Sequence, residues 1–251
     1  VVIGKSLTID ELFSAGFSAV YIASGAGLPR FMNIPGEGLA GVCSANEFLT
    51  RINLMKAHDK NYDTPIMKPR HVVVIGGGNV AMDSARCAKR LEPEKVTVIY
   101  RRTENEMPAR KDEISHAKEE GIEFLFLSSP VEFFGENGKV KGVRYNKMKP
   151  GDADSSGRRS VDLESDELLE IKADTVIVAI GNDSNTLIKD SAPNIGFDNK
   201  GRIVTDLETT KTSRPYVYAG GDTVTGAATV ILAMGAGKKA AEQIRADLKI
   251  K

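Results

Sequence analysis

His71-Val72-Val73-Val74-Ile75-Gly76-Gly77-Gly78-Asn79-Val80-Ala81 decides the fold of this chain. A short, unbroken run of β-branched residues reads as a strand covered on both faces, as in a parallel sheet. The run stops at three glycines, and the residues from Val80 to Leu91 then follow a helical pattern. Strand, Gly76-x-Gly78-x-x-Ala81 and helix together form a phosphate-binding turn. Gly76 permits the tight turn, Gly78 lets the backbone approach a pyrophosphate without a Cβ in the way, and Ala81 keeps the helix close to the strand. The anion would sit at the helix N-terminus beside Asn79 and Val80, where N–H groups without intrahelical partners and the positive dipole end favour it. On the helix, Val80, Cys87 and Leu91, with Ala81, Ala85 and Ala88 beside them, are expected to face inward, and Arg86, Lys89 and Arg90 outward.

Further along, strand Val96–Tyr100, helix Lys111–Glu120 and strand Ile122–Leu127 continue the alternation, which implies a parallel sheet with right-handed crossovers. What ends the second strand selects the cofactor. An NAD-specific unit usually carries an Asp or Glu there for the ribose 2′-hydroxyl, whereas this sequence has Tyr100-Arg101-Arg102. A 2′-phosphate needs a planar, permanently charged donor, so Arg101 and Arg102 favour NADP(H) over NAD(H). The alternative is a solvated arginine pair at a strand end.

Residues 130–173 change character. Glu136-Asn137-Gly138-Lys139 is a hairpin signal between Val131–Phe134 and Val140–Tyr145. A polar loop from Pro150 to Ser160 and a further strand near Leu168–Ile171 complete an expected antiparallel meander. The apolar strand Thr175–Ile180 then ends at Gly181, which joins the candidate NADP(H) residues.

On the flanks, strand Ala19–Ala23 breaks into Ser24-Gly25, and residues 44–58 read as a helix through Phe48, Leu49, Ile52, Leu54 and Met55. Pro65 and Pro69 mark a linker. Short strands at Ile203–Val204 and Val217–Tyr218 precede Gly220-Gly221-Asp222 and a helix from about Thr229. Gly235-x-Gly237-x-x-Ala240 imitates the fingerprint, but too little chain follows for a second strand, so it reads as a helix with a small-residue face. The expected division is 1–69, 70–190 and 191–251.

The 251 residues are 41% hydrophobic and 27% charged, ordinary values for a globular protein. Thirty-four basic and 34 acidic residues give a formal net charge of +0, without the basic field that would draw a nucleic acid or an anionic membrane. No apolar run has membrane-spanning length, and no charged segment followed by an apolar one opens the chain as a signal peptide. Val1 stands within a strand-like phrase, which points to a piece of a longer chain. Cys43 and Cys87 are too far apart for a CxxC pair and too few for an iron–sulfur cluster, so they read as free thiols in a reducing cytoplasm. His58, His71 and His116 are scattered, and no general acid or base is nominated.

Gly76-Gly77-Gly78-Asn79-Val80-Ala81-Met82-Asp83, Tyr100-Arg101-Arg102 and Glu106-Met107-Pro108-Ala109 together resemble the NADPH-binding region of the glutamate synthase small (beta) chain family. The likeness extends to the large subunit of NADH-dependent ferredoxin:NADP oxidoreductase. It covers nearly the whole chain, through Gly25-Ala26-Gly27-Leu28-Pro29-Arg30, Ser44-Ala45-Asn46-Glu47, Ser156-Gly157-Arg158-Arg159, Ala179-Ile180-Gly181 and Ala219-Gly220-Gly221-Asp222 through Ala228-Thr229-Val230. The resemblance implies an α/β fold in which a Rossmann-like NADP-binding domain with an antiparallel meander is inserted into an FAD-binding domain. It places Gly25, Gly221, Asp222, Ala228 and Thr229 at the FAD. The family's iron–sulfur cysteines and first glycine-rich fingerprint belong to an N-terminal region outside this sequence. It further implies hydride transfer from NADPH to FAD and onward electron flow to a glutamate synthase large chain or a ferredoxin-type subunit. The alternatives are an electron-bifurcating ferredoxin:NADP oxidoreductase subunit and a non-catalytic NADP-binding module.

Overall fold

The computed structural model describes residues 1–153 and 159–249. In chain order it forms α1 (Ile9–Ser14), β1 (Val20–Ile22), β2 (Leu28–Pro29), β3 (Val42–Ser44) and α2 (Ala45–Leu49). Then come β4 (His71–Ile75), α3 (Asn79–Lys89), β5 (Lys95–Ile99), α4 (Lys111–Glu119), β6 (Glu123–Leu125), β7 (Ser128–Glu136) and β8 (Lys139–Ala153). The remainder is β9 (Arg159–Lys172), β10 (Thr175–Val178), β11 (Asn182–Asp183), α5 (Leu187–Ser191), β12 (Val217–Ala219), α6 (Asp222–Thr225) and α7 (Val230–Asp247).

The chain divides into two compact units, Pro29–Gly181 and Val1–Leu28 with Asn182–Lys251. The expected cuts at 69/70 and 190/191 differ from these limits. Residues 42–44 belong with the larger unit because β3 pairs along β10, Val42 opposite Val176 and Ser44 opposite Val178.

In the larger unit five parallel strands lie in the order β3-β10-β4-β5-β6. Alternation along each strand sends side chains to opposite faces. Val72, Val74, Val96, Val98 and Ile177 pack with Ala81, Met82, Ala85 and Ala88 of α3 and with Ile114 and Ala117 of α4. Val73, Ile75, Ile99, Val176 and Val178 pack with Phe133, Val140 and Val143 of the meander. Every position of β4 after His71 is therefore buried, which is why the run carries no polar alternation.

Helix α3 departs from the expected face at one point: Ala81, Met82, Ser84, Ala85 and Ala88 are its buried residues, while Val80 is 46% exposed. Small side chains let this helix settle against β4. The helix expected over 44–58 is shorter. Helix α2 passes into a π-helical turn at Thr50–Leu54, Lys56 takes φ +52°, and Leu54 and Met55 are exposed while Phe48 and Ile52 are buried. The ring Nδ1 of His58 donates to the Ile52 carbonyl (2.9 Å) and Thr64 Oγ1 to the Met55 carbonyl (2.5 Å), which satisfies carbonyls that a longer helix would use.

The meander β7-β8-β9 is antiparallel throughout. Asn137 and Gly138 both have positive φ, 51° and 74°, the requirement of the two-residue turn their pairing predicts. Strands β8 and β9 reach further than expected, taking Pro150–Ala153 and Arg159–Ser160 out of the polar loop. The rest of that loop, 154–158, and with it most of the Ser156-Gly157-Arg158-Arg159 motif, lies outside the described residues.

In the smaller unit β1 runs parallel to β12, Val20 opposite Val217 and Ile22 opposite Ala219. Ile9, Ile22, Ile188, Ile195, Ile203 and Val217 form its core. A capping box between Thr8 and Glu11 starts α1, and Thr229 caps α7.

Candidate functional site

From β4 the chain proceeds to β5 and β6 on one side and returns to β10 on the other. Parallel sheets bind ligands beyond the carboxyl ends of their strands where the order reverses in this way. Gly76 stands at that place. Its φ is +139°, and a Cβ there would overlap the Ala179 carbonyl oxygen and sit 2.9 Å from the carbonyl carbon. The Gly76 N–H donates to Ile99 O (3.1 Å) and the Ala179 N–H to Ile75 O (2.8 Å), so three strand ends meet at this glycine.

The three glycines have separate tasks. A Cβ on Gly77 would strike the Tyr100 ring at 2.5 Å, whereas one on Gly78 would meet nothing nearer than Pro108 Cγ at 4.0 Å. Gly76 and Gly77 thus serve packing, and Gly78 borders open space. Among the described residues no protein acceptor takes the N–H of Gly78, Asn79 or Val80, and α3 has no side-chain cap at its N-terminus. The Ala81 methyl is fully buried against the sheet. Gly181, φ +106°, also borders open space, and its carbonyl accepts the Arg30 N–H (3.0 Å).

The segment after β5 forms a wall of this crevice. The Ala109 N–H donates to Gly77 O (3.0 Å), the Arg110 N–H to Asn79 Oδ1 (2.9 Å), and the Tyr100 hydroxyl to Glu106 O (2.8 Å). The two arginines part company. Arg101 is exposed and Arg102 is buried, 8% accessible. Arg102 Nε donates to Arg159 O (2.7 Å), and its Nη1 is buried with no partner among the described residues. Glu106 accepts the Thr103 N–H and hydroxyl on one oxygen (3.1 Å each) and the Arg159 N–H on the other (3.2 Å). Burial pushes the Glu106 carboxyl up, but these donors outweigh it and hold the group below the usual carboxylate range. Sequence reasoning passed over Glu106 and Arg159 as site residues. Their only signal was membership of recurring motifs, because the contact joins segments distant in the chain.

The second set of residues surrounds the carboxyl ends of β1 and β12 in the smaller unit. Gly25 (φ +70°) follows β1 and has open space at its Cβ position. Gly221 has φ 72° and ψ −155°, a region open essentially to glycine alone. A cavity of about 260 Å³ is bordered there by Gly220, Gly221, Val224, Ile231, Leu232 and Ala236. The Asp222 carboxylate accepts the Ala228 N–H (3.3 Å), and the Thr229 hydroxyl accepts the Leu232 N–H (3.4 Å). Val230, Ile231, Leu232 and Met234 are all more than half exposed, so the first turns of α7 present an apolar surface. The Gly235–Ala240 imitation of the fingerprint lies inside this helix, with Ala240 buried.

Among the described residues no group of His, Cys, Asp and Glu could hold a metal ion, both cysteines are free, and no helix is long and apolar enough to cross a membrane. Burial, with Glu47 nearby, pushes the Cys43 thiol up to about 12.

The pyridine nucleotide-disulphide oxidoreductase family matches residues 2–237. The beta subunit of the NADP(+)-dependent formate dehydrogenase of Moorella thermoacetica is 38% identical over 245 residues, 96% of this chain and 33% of that protein. The glutamate synthase [NADPH] small chain of Azospirillum brasilense is 34% identical, over 99% of this chain and 52% of that protein. This chain thus spans between a third and about half of these two relatives. Among solved structures, Mycobacterium tuberculosis FprA in complex with NADPH superposes with a TM-score of 0.74 at 23% identity, over 99% of this chain and 67% of that one, a likeness of fold.

Proposed function

Because this chain belongs to the pyridine nucleotide-disulphide oxidoreductase family, we propose that it binds NADP(H) at the β4–α3 turn and works within an NADPH-dependent flavoprotein of the glutamate synthase small-chain type. One observation carries the nucleotide assignment: an open cradle at Gly78, at the sheet's reversal point, faced by N–H groups that no protein acceptor takes among the described residues. The residues therefore fit a dinucleotide. Gly76 and Ala81 shape the turn, Gly78, Asn79 and Val80 present the anion-binding backbone, and Gly181 borders the crevice. Exposed Arg101 and its neighbour Arg102 supply positive charge for a 2′-phosphate.

The smaller unit carries residues for FAD. Gly25, Gly221 and Asp222 stand at the strand ends, while Ala228 and Thr229 open α7, whose N-terminus favours negative charge on a bound group. When bound, the two cofactors supply hydride transfer between nicotinamide and flavin. In this reading the onward acceptors would be iron–sulfur clusters and a partner subunit, a glutamate synthase large chain or a ferredoxin-type protein. The names of both relatives, each a chain or subunit of a larger enzyme, support a partner. The cytoplasm is the proposed location.

Separate titrations with NADPH and NADH test the reading. Tighter binding of NADPH is expected, and equal or absent binding refutes the assignment. A flavin absorption spectrum in the purified protein separates the flavoprotein reading from a nucleotide-binding module without redox chemistry.

A further inference from the structure

We propose that Arg159, which lies on the meander and outside the strand–turn–helix unit, is a 2′-phosphate-contacting residue, and that Arg102 and Glu106 are positioning residues that hold it there. The inference rests on the NADP(H) reading of the β4–α3 turn. Arg159 is the first residue of β9, far in sequence from β5, yet both hydrogen-bonding groups of its backbone are taken by the segment after β5. Its carbonyl receives Arg102 Nε (2.7 Å) and its N–H donates to Glu106 Oε1 (3.2 Å). A cation and an anion thus grip one residue from two sides, and a charged partner makes each of these bonds stronger than a neutral one would.

The side chain of Arg159 is exposed and makes no hydrogen bond or ion pair among the described residues. Arg102 is the reverse. It is more than nine-tenths buried, its Nε is committed to the Arg159 carbonyl, and its Nη1 has no partner among the described residues. Arg101, exposed at the end of the same strand, and Arg159, brought to it by Arg102 and Glu106, are therefore the two guanidinium groups placed to meet a phosphate. Glu106 is also anchored to the crevice wall, since its carbonyl accepts the Tyr100 hydroxyl and the Tyr100 ring packs on Gly77. The second arginine for the phosphate thus comes from a neighbouring element, through a pair of backbone hydrogen bonds.

The test uses adenosine 2′,5′-bisphosphate and 5′-AMP, which differ only by the 2′-phosphate, titrated calorimetrically into the chain and its variants. The bisphosphate is expected to bind the unaltered chain on the order of tenfold more tightly or better. Arg159→Gln is expected to remove most of that preference while leaving AMP affinity and thermal stability unchanged. Arg159→Lys, which keeps charge without the planar fork, should retain an intermediate preference. Glu106→Gln distinguishes positioning from plain electrostatics. Deleting a negative charge beside an anion site should by Coulomb's law strengthen binding, whereas loss of the grip on Arg159 should weaken the bisphosphate several-fold and leave AMP alone. Equal affinity of the unaltered chain for both ligands would refute the NADP(H) reading and this inference with it. Discrimination that survives Arg159→Gln but disappears in Arg101→Gln would overturn the inference alone, as would a Glu106→Gln chain that binds the bisphosphate more tightly.

Discussion

Gly78→Ala should leave the protein folded and cost it the dinucleotide, and Gly76→Ala should do the opposite damage first. Gly78 has φ −90° and ψ 175°, open to any residue, and its added methyl would find no atom closer than 4.0 Å. Alanine there gains about 0.4–1 kcal/mol from the less flexible unfolded chain. As the residue preceding α3 it loses a similar amount, about 0.5–1 kcal/mol, because alanine is a poorer N-cap than glycine. The two offset, so the unfolding midpoint should move little. Space occupied by the methyl is the space a pyrophosphate would need, and dinucleotide affinity should fall by on the order of tenfold or more. Gly76→Ala instead places a Cβ under 3.0 Å from the Ala179 carbonyl at a φ of +139°. Backbone strain of about 1–3 kcal/mol adds to an overpacking cost of about 1–3 kcal/mol. Together, about 2–6 kcal/mol, they are a large fraction of the stability of a small domain, about 5–15 kcal/mol. Urea unfolding of both variants, alongside fluorescence titration with NADPH, reads the two effects separately. A Gly78→Ala chain that binds NADPH as well as the unaltered one, or that unfolds as easily as Gly76→Ala, would refute the division of labour among these glycines.

Two further outcomes follow from side chains away from the crevice. Cys43, its thiol pushed up to about 12 chiefly by burial, should react with iodoacetamide at pH 8 at least about a hundredfold more slowly than free cysteine, until the chain is unfolded; rapid labelling of the folded protein would contradict this. Asp247 is held below the usual carboxylate range by Lys211 Nζ (2.8 Å), with the Tyr218 hydroxyl (2.5 Å) and Gln243 Nε2 (3.0 Å) also donating to it. Because its folded value is depressed, its contribution is present above the unfolded value near about 4 and is lost as pH falls through the folded value. Asp247→Asn should therefore be less stable than the parent at neutral pH, with the difference closing below about pH 4 in thermal unfolding.

The residues that make the β4–α3 turn were legible because their information is local. An unbroken apolar run, glycines at fixed spacing and helical periodicity act within twenty residues of each other. The same holds for the Asn137-Gly138 hairpin and for Thr229 at the start of α7, where the chain's own turn and cap chemistry sets the boundary. The expected helix over 44–58 missed its end because carbonyls there are satisfied by His58 and Thr64, side chains that periodicity does not weigh. Arg101 and Arg102 looked alike in sequence. Only Arg102 is buried, and its Nε donates to the carbonyl of Arg159, which no spacing rule connects to β5.

The amino-acid order alone determined that a parallel strand turns through Gly76-Gly77-Gly78 into a helix, since each of those choices is made by neighbours along the chain. Tertiary structure decided the rest: that alternate residues of β4 enter two different cores, that β1 finds β12 across almost the whole chain, and that β3 joins β10. The physical reason is that an apolar side chain specifies burial but not its partner. The partner is chosen only when distant segments compete to cover the same surface.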